Sequence, residues 1–144
     1  MKNALLVSLF MSFTLNVFGQ KETESDAIKT MMLQQSSDWN EGNIDAFMQG
    51  YWQSDSLMFV GSRGITYGWK ATLDNYKKGY PDRATMGKLK FEFLKMDFFE
   101  KETTCLLLGK WHLTRPEKGD VGGYFTLMLK KMNGKWLIVS DHTS

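Results

Sequence analysis

The chain has 144 residues with 18 Lys and Arg against 16 Asp and Glu, a net charge of +2, and five tryptophans and ten phenylalanines among its 14% aromatic residues. This length holds one domain with a real core and leaves no room for two. The near-balance of charge gives no electrostatic case for nucleic acid or for a membrane surface, and with Cys105 the only cysteine an internal disulfide is impossible.

Residues 1–19 are set apart from the fold. Lys2 gives a positive start, Ala4 to Phe18 is apolar apart from small polar residues, and Val17-Phe18-Gly19 before Gln20 has the look of a cleavage site. The apolar stretch falls short of the ~20 residues that span a bilayer. The reading is a signal peptide over 1–19 and a domain over 20–144, hence export to a periplasmic or extracellular space. Removing Lys2 with the leader leaves a net charge of +1.

Glu22 to Glu41 reads as the first helix, with Ile28, Met31, Met32, Gln35 and Trp39 at helical spacings on one side. Gly42 stops it and Asn43 is placed to cap a second helix carrying Ile44, Phe47, Met48 and Tyr51, which runs to about Gln53. Leu57 to Val60 and Ile65 to Tyr67 are short strands around the turn Gly61-Ser-Arg-Gly64. Gly68 opens a third helix with Trp69, Leu73 and Tyr76 facing inward, closed by Gly79 and Pro81.

From Gly87 the pattern becomes strand. Lys88 to Phe93 alternates cleanly, and the apolar positions then resume at Leu94, Met96 and Phe98 one residue out of phase. Such a slip predicts a β-bulge near Phe93-Leu94. Glu100-Lys101 turns the chain into a strand over 103–114, and a loop over 115–120 leads to the final pair. There, Asn133-Gly134 between two aromatic and β-branched runs predicts a hairpin with a type I′ turn. Counting outward from Met132 and Lys135 sets Leu129 opposite Ile138, Leu127 opposite Ser140 and Phe125 opposite His142 on one face. The other face carries Tyr124, Thr126, Met128, Leu137, Val139 and Asp141.

Helices first and strands last, joined by short reversals, predict an α+β fold: three helices against a strongly bent, mixed but mostly antiparallel sheet, closed into a cone with a pocket. The residues Trp39-Asn-Glu-Gly-Asn43, Tyr51 with Asp55, Gly68 with Leu73 and Tyr76-Lys-Lys-Gly-Tyr-Pro81 point the same way. Gly109-Lys-Trp111 and Gly134-Lys-Trp-Leu-Ile-Val-Ser-Asp-His-Thr-Ser144 complete an ordered set covering nearly all of residues 20–144. In these the chain resembles the nuclear transport factor 2-like superfamily, and within it the SnoaL-like proteins. The resemblance implies a cone fold, pairing through the outer sheet face, and a pocket between sheet and helices. It also implies that, where such a protein is an enzyme, one carboxylate or histidine in an apolar pocket moves a proton beside a carbonyl, as in isomerases, cyclases and dehydratases. Other members of the group only bind ligands or partners, and fold alone does not choose between these.

Two residues are candidates for that proton. His142 shares the hairpin face with Phe125 and Leu127, where an imidazole titrating near neutrality suits general acid–base work; the bland reading is a histidine that ties the strand to a helix. Asp55, before the first strand, is the candidate carboxylate, against an ordinary turn role. If the two form a pair, their side chains approach within hydrogen-bond or one-water distance. Tyr51, Trp52, Phe59, Trp111 and Tyr124 are candidate pocket aromatics, otherwise core. Arg63 and Arg115, on turns, are candidates for an anionic group at the mouth, otherwise solvated. Asp141 and His142 alternate to opposite faces and cannot chelate one ion, and no metal-ligand spacing stands out, so neither metal nor cofactor is expected. Cys105 beside three leucines reads as buried and inert, and no serine or cysteine has the context of a nucleophile. The expectation is an exported homodimer binding a small apolar or aromatic molecule, with or without proton-transfer chemistry, the other class being a non-catalytic association module.

Overall fold

The computed structural model describes residues 23–144; the leader predicted over 1–19 lies outside them. Helix α1, Glu24–Asn40, begins where the Thr23 hydroxyl accepts from the Asp26 amide, and it buries Ile28, Met32, Gln35 and Trp39. Its C-terminal carbonyls are held by Arg83, which donates to Trp39 O at 2.9 Å and Asn40 O at 2.8 Å. Asn43 caps α2, Ile44–Phe47, through the Ala46 amide. The second helix is shorter than predicted: a 3₁₀ turn, Met48–Gly50, tightens its end, and Tyr51 is already extended.

Strands β1 (Met58–Gly61) and β2 (Gly64–Tyr67) form a small hairpin, followed by α3, Trp69–Gly79. A four-residue helix that the sequence did not signal, α4 (Arg83–Met86), follows, capped by Asp82. Long strands β3 (Lys88–Phe99), β4 (Thr104–Thr114), β5 (Val121–Met132) and β6 (Lys135–Thr143) complete the chain. The six strands form one sheet in the order β2-β1-β6-β5-β4-β3, antiparallel throughout except where β1 runs parallel to β6. The class is α+β, with a curled, mostly antiparallel sheet and helices on its concave face.

Two bulges bend this sheet. The first falls between Phe93 and Lys95, where the alternation slipped. It keeps Phe91 and Phe93 on the same side as Met96 and Phe98, all packed against the core. The second was not legible. Leu129 pairs with Ile138 as counted, but Met128 pairs with Ser140, leaving Val139 as an extra residue. Because side chains alternate with a period of two, one extra residue inverts every face beyond it. Leu127 therefore lies opposite Asp141, and Phe125 opposite Thr143. The concave position that simple alternation assigned to His142 belongs to Asp141, which is 4% exposed, while His142 is on the exposed outer face.

The core between helices and sheet includes Ile28, Met32, Leu107, Leu127, Leu129 and Ile138, each at most 2% exposed. Polar side chains fix the helices to the sheet. Asn40 bonds both backbone groups of Leu89, accepting at 2.7 Å and donating at 3.1 Å. Glu24 receives the Lys131 ammonium at 2.6 Å and the Trp136 indole at 2.8 Å. Each anchor satisfies groups that burial would otherwise leave orphaned. No helix among the described residues is long and apolar enough to cross a membrane.

Candidate functional site

Because the sheet curls further than the helices fill, a cavity of about 700 Å³ remains between them. The sheet contributes Leu89, Phe91, Phe125, Leu127 and Ile138, the helices Met32, Trp39, Phe47 and Tyr76, and the β1–β2 turn closes one side with Ser62 and Arg63. The volume is that of a small-molecule pocket, and aromatic rings form much of its lining.

One carboxyl side chain, Asp141, lies in this wall. Tyr51 leaves the 3₁₀ turn and bridges to Ile138 of β6, with the Trp52 amide donating to Ile138 O at 2.9 Å. That tether sets the Tyr51 hydroxyl 2.7 Å from Asp141 Oδ2, to which it donates. The bulge at Val139 turns the carboxylate inward; the bridge at Ile138 supplies its partner. The other carboxylate oxygen, Oδ1, is buried with no hydrogen-bond partner. Burial pushes the Asp141 carboxyl up to about 7, the Tyr51 bond opposing the shift. A charge without water is held at a high free energy, so the group titrates near neutrality instead of near 4.

Tyr76 continues the chain of polar atoms, its hydroxyl 3.4 Å from that of Tyr51. Burial, then the neighbouring carboxylate, raises both tyrosines well above the usual phenol range. Both therefore keep their protons and act as donors. Tyr76 itself is fixed by rings on several sides, with centroids of Phe47 at 5.3 Å, Phe59 at 5.7 Å and Trp39 at 6.0 Å. A buried acid that exchanges a proton near pH 7 and two locked hydroxyl donors are what general acid–base chemistry at a carbonyl requires.

The residues singled out in the sequence divide. Tyr51, Phe59, Arg63 and Trp111 line the cavity. Trp52 and Tyr124 do not line it; Tyr124 is on the outer face, 54% exposed, beneath the Lys110 ammonium at 5.8 Å. Asp55 is an exposed residue of the turn before β1 and, like His142, is outside the cavity wall. No hydrogen bond joins Asp55 to His142, which faces outward beside Val60 and Thr126. Asp141, Tyr76, Tyr80, Lys78 and Gln35 are among the cavity groups that the sequence did not single out. Gln35 donates to Phe47 O at 2.9 Å, and its Oε1, like Asp141 Oδ1, is buried and unpartnered. Among the described residues no three His, Cys, Asp or Glu side chains converge as a metal site would, and Cys105 is buried with its thiol pushed up to about 11.

Solved structures with the same architecture include an NTF-2 like protein of unknown function from Shewanella oneidensis MR-1. It is 37% identical over 85% of this chain and 99% of its own, with a TM-score of 0.80. The chain belongs to the nuclear transport factor 2-like superfamily. Other solved structures share the fold at much lower identity. A scytalone dehydratase-like protein from Novosphingobium aromaticivorans DSM 12444 is 16% identical, with a TM-score of 0.65 over 84% of each chain. A calcium/calmodulin-dependent protein kinase II association domain-like protein from Xanthomonas campestris is also 16% identical, with a TM-score of 0.65 over 85% of this chain and 88% of its own. No protein-family profile matches this nuclear transport factor 2-like chain, and no curated protein sequence does.

Proposed function

We propose that this protein binds a small aromatic or otherwise apolar carbonyl compound in its cone and transfers a proton beside the carbonyl, as an isomerase, cyclase or dehydratase does. The observation that carries the reading is Asp141: a buried carboxyl with one oxygen on Tyr51 and the other unpartnered, in a cavity wall. In the ionised form Asp141 takes a proton from a carbon next to the carbonyl; in the acid form it returns one to a neighbouring position. The enolate oxygen that forms between these steps needs a donor; Tyr51 already donates to Asp141, and the Tyr76 hydroxyl beside it on the cavity wall fills that role by turning from Tyr51 to the substrate. Apolar surroundings exclude water and strengthen both interactions. The likeness to a scytalone dehydratase-like protein supports such chemistry by analogy of fold only.

The test is exchange of carbon-bound hydrogen. Incubated with 2-tetralone in D₂O and followed by proton NMR, the protein is expected to speed loss of the α-proton signals, and Asp141→Asn to reduce that rate by about 100-fold or more. An unchanged rate in Asp141→Asn ends the proposal.

A second reading, the association module, is favoured by the convex sheet face. Leu106, Leu108, Tyr124 and Met128 are each at least 36% exposed there, and Leu106 and Met128 are direct cross-strand partners. Such a patch on a water-facing sheet fits a contact between two copies. It is compatible with a working cavity, so we propose a homodimer through this face in either case. Export through the 1–19 leader is likewise proposed, from the sequence pattern.

A further inference from the structure

The cavity wall carries two kinds of polar group. Asp141 and Tyr51 are buried in it, whereas Arg63 from the β1–β2 turn and Lys78 from the last turn of α3 also line it and are exposed to solvent, which places them at its mouth. Neighbouring cations are already committed. Lys77 pairs with Asp45 at 2.8 Å, and Arg115 donates from Nε to Gly119 O at 2.8 Å within its own loop. Arg63 and Lys78 make no ion pair with a side-chain carboxylate among the described residues. The wall also holds Tyr80, whose phenol is raised by burial while Arg115 and Arg63 pull against that rise.

We infer that the ligand is an aromatic monoanion, a carboxylate or its like, held at the mouth by Arg63 and Lys78 with its uncharged end at Tyr76 and Asp141. The inference rests on the proposed function and specifies its substrate class. Orientation follows from two costs. An anion placed deep would be desolvated beside a carboxyl that ionises near neutrality, doubly unfavourable. At the mouth the same anion keeps water on one side and meets a guanidinium whose planar donors fit a carboxylate edge. Ser144 also lines the rim, where its carbonyl accepts from Trp111 Nε1 at 3.3 Å.

The full chain is titrated with two fluorescent probes on the same ring scaffold, 8-anilinonaphthalene-1-sulfonate and its uncharged counterpart N-phenyl-1-naphthylamine. The expected result is that Arg63→Ala with Lys78→Ala weakens the sulfonate probe about tenfold and the neutral probe less than twofold. The wild-type sulfonate affinity should also fall with added salt, while the neutral one holds. Binding of the neutral probe by the double variant serves as its folding control, and Arg63→Glu, a second variant, should weaken the sulfonate further. Equal weakening of both probes, or none of the sulfonate, overturns the inference. If Asp141→Asn still abolishes 2-tetralone exchange when that happens, the proton-transfer reading stands and only the anion assignment falls.

Discussion

Asp141 is a carboxylate that folding makes a weaker acid. Its folded value near 7 lies above the ordinary 3.8, the reverse of a salt-bridged aspartate. The folded state therefore holds a proton that the unfolded state releases, and stability falls as pH rises from about 4 to about 7, with no further loss above that window. At 1.36 kcal/mol per unit, the wild type should lose roughly 3 kcal/mol relative to Asp141→Asn between pH 5 and pH 8. Urea unfolding of both proteins at the two pH values checks this, and parallel curves would contradict it. Asn is the informative substitution because its amide oxygen still accepts from Tyr51. Tyr51→Phe does the opposite: it strips Asp141 Oδ2 of its 2.7 Å donor, which should destabilise by about 1–3 kcal/mol and move the Asp141 titration to still higher pH. A downward shift would show that the hydroxyl is not what favours the ionised form. Simple alternation along β6 sends Asp141 outward, to the face opposite His142. The departure from it is local: Leu137, Ile138 and Val139 are all apolar, so the chain can slip by one residue there without any break in the hydrophobic pattern.

Strands announce their irregularities only when polar residues mark the phase. In β3, lysines and glutamate alternate with phenylalanines up to Phe93, so the bulge by Leu94 was readable. In β6 the extra residue is Val139, between residues that fit either face, so alternation alone does not reveal the register beyond it. The hairpin turn before it was legible, because Asn133 and Gly134 take positive φ of 50° and 78° as a type I′ turn demands. Helix caps at Asn43 and the stop at Gly42 were legible for the same kind of reason, whereas α4 is too short to carry a periodicity. One glycine in β4 also shapes the cavity. A Cβ at Gly109 would lie 2.3 Å from Phe125 Cζ and 2.7 Å from Glu92 O, so Phe125 rests directly on the bare backbone. Gly109→Ala should displace that ring, destabilise by about 1–3 kcal/mol as overpacking does, and weaken the neutral naphthylamine probe. Thermal unfolding and the same fluorescence titration measure both effects; an unchanged melting temperature would mean that the sheet yields there at little cost.

At the scale of the whole molecule, the sheet has two unlike faces. Its concave side and the helices enclose the cavity, and its convex side presents Leu106, Leu108, Tyr124 and Met128 to solvent. Sedimentation equilibrium of residues 20–144 should give a dimer, and Leu106→Asp with Met128→Lys a monomer that still binds the naphthylamine probe. A wild-type monomer at high concentration would remove the convex-face contact and leave the cavity untouched. The architecture was legible in the order of elements and the ending of the chain, but the chemistry was not, because it depends on which way one residue turns. The most direct measurement is therefore a carbon-13 NMR titration of aspartate carboxyls, with Asp141→Asn assigning the resonance. The account predicts a midpoint near 7 for Asp141; a midpoint among the exposed carboxylates, near 4, would contradict it.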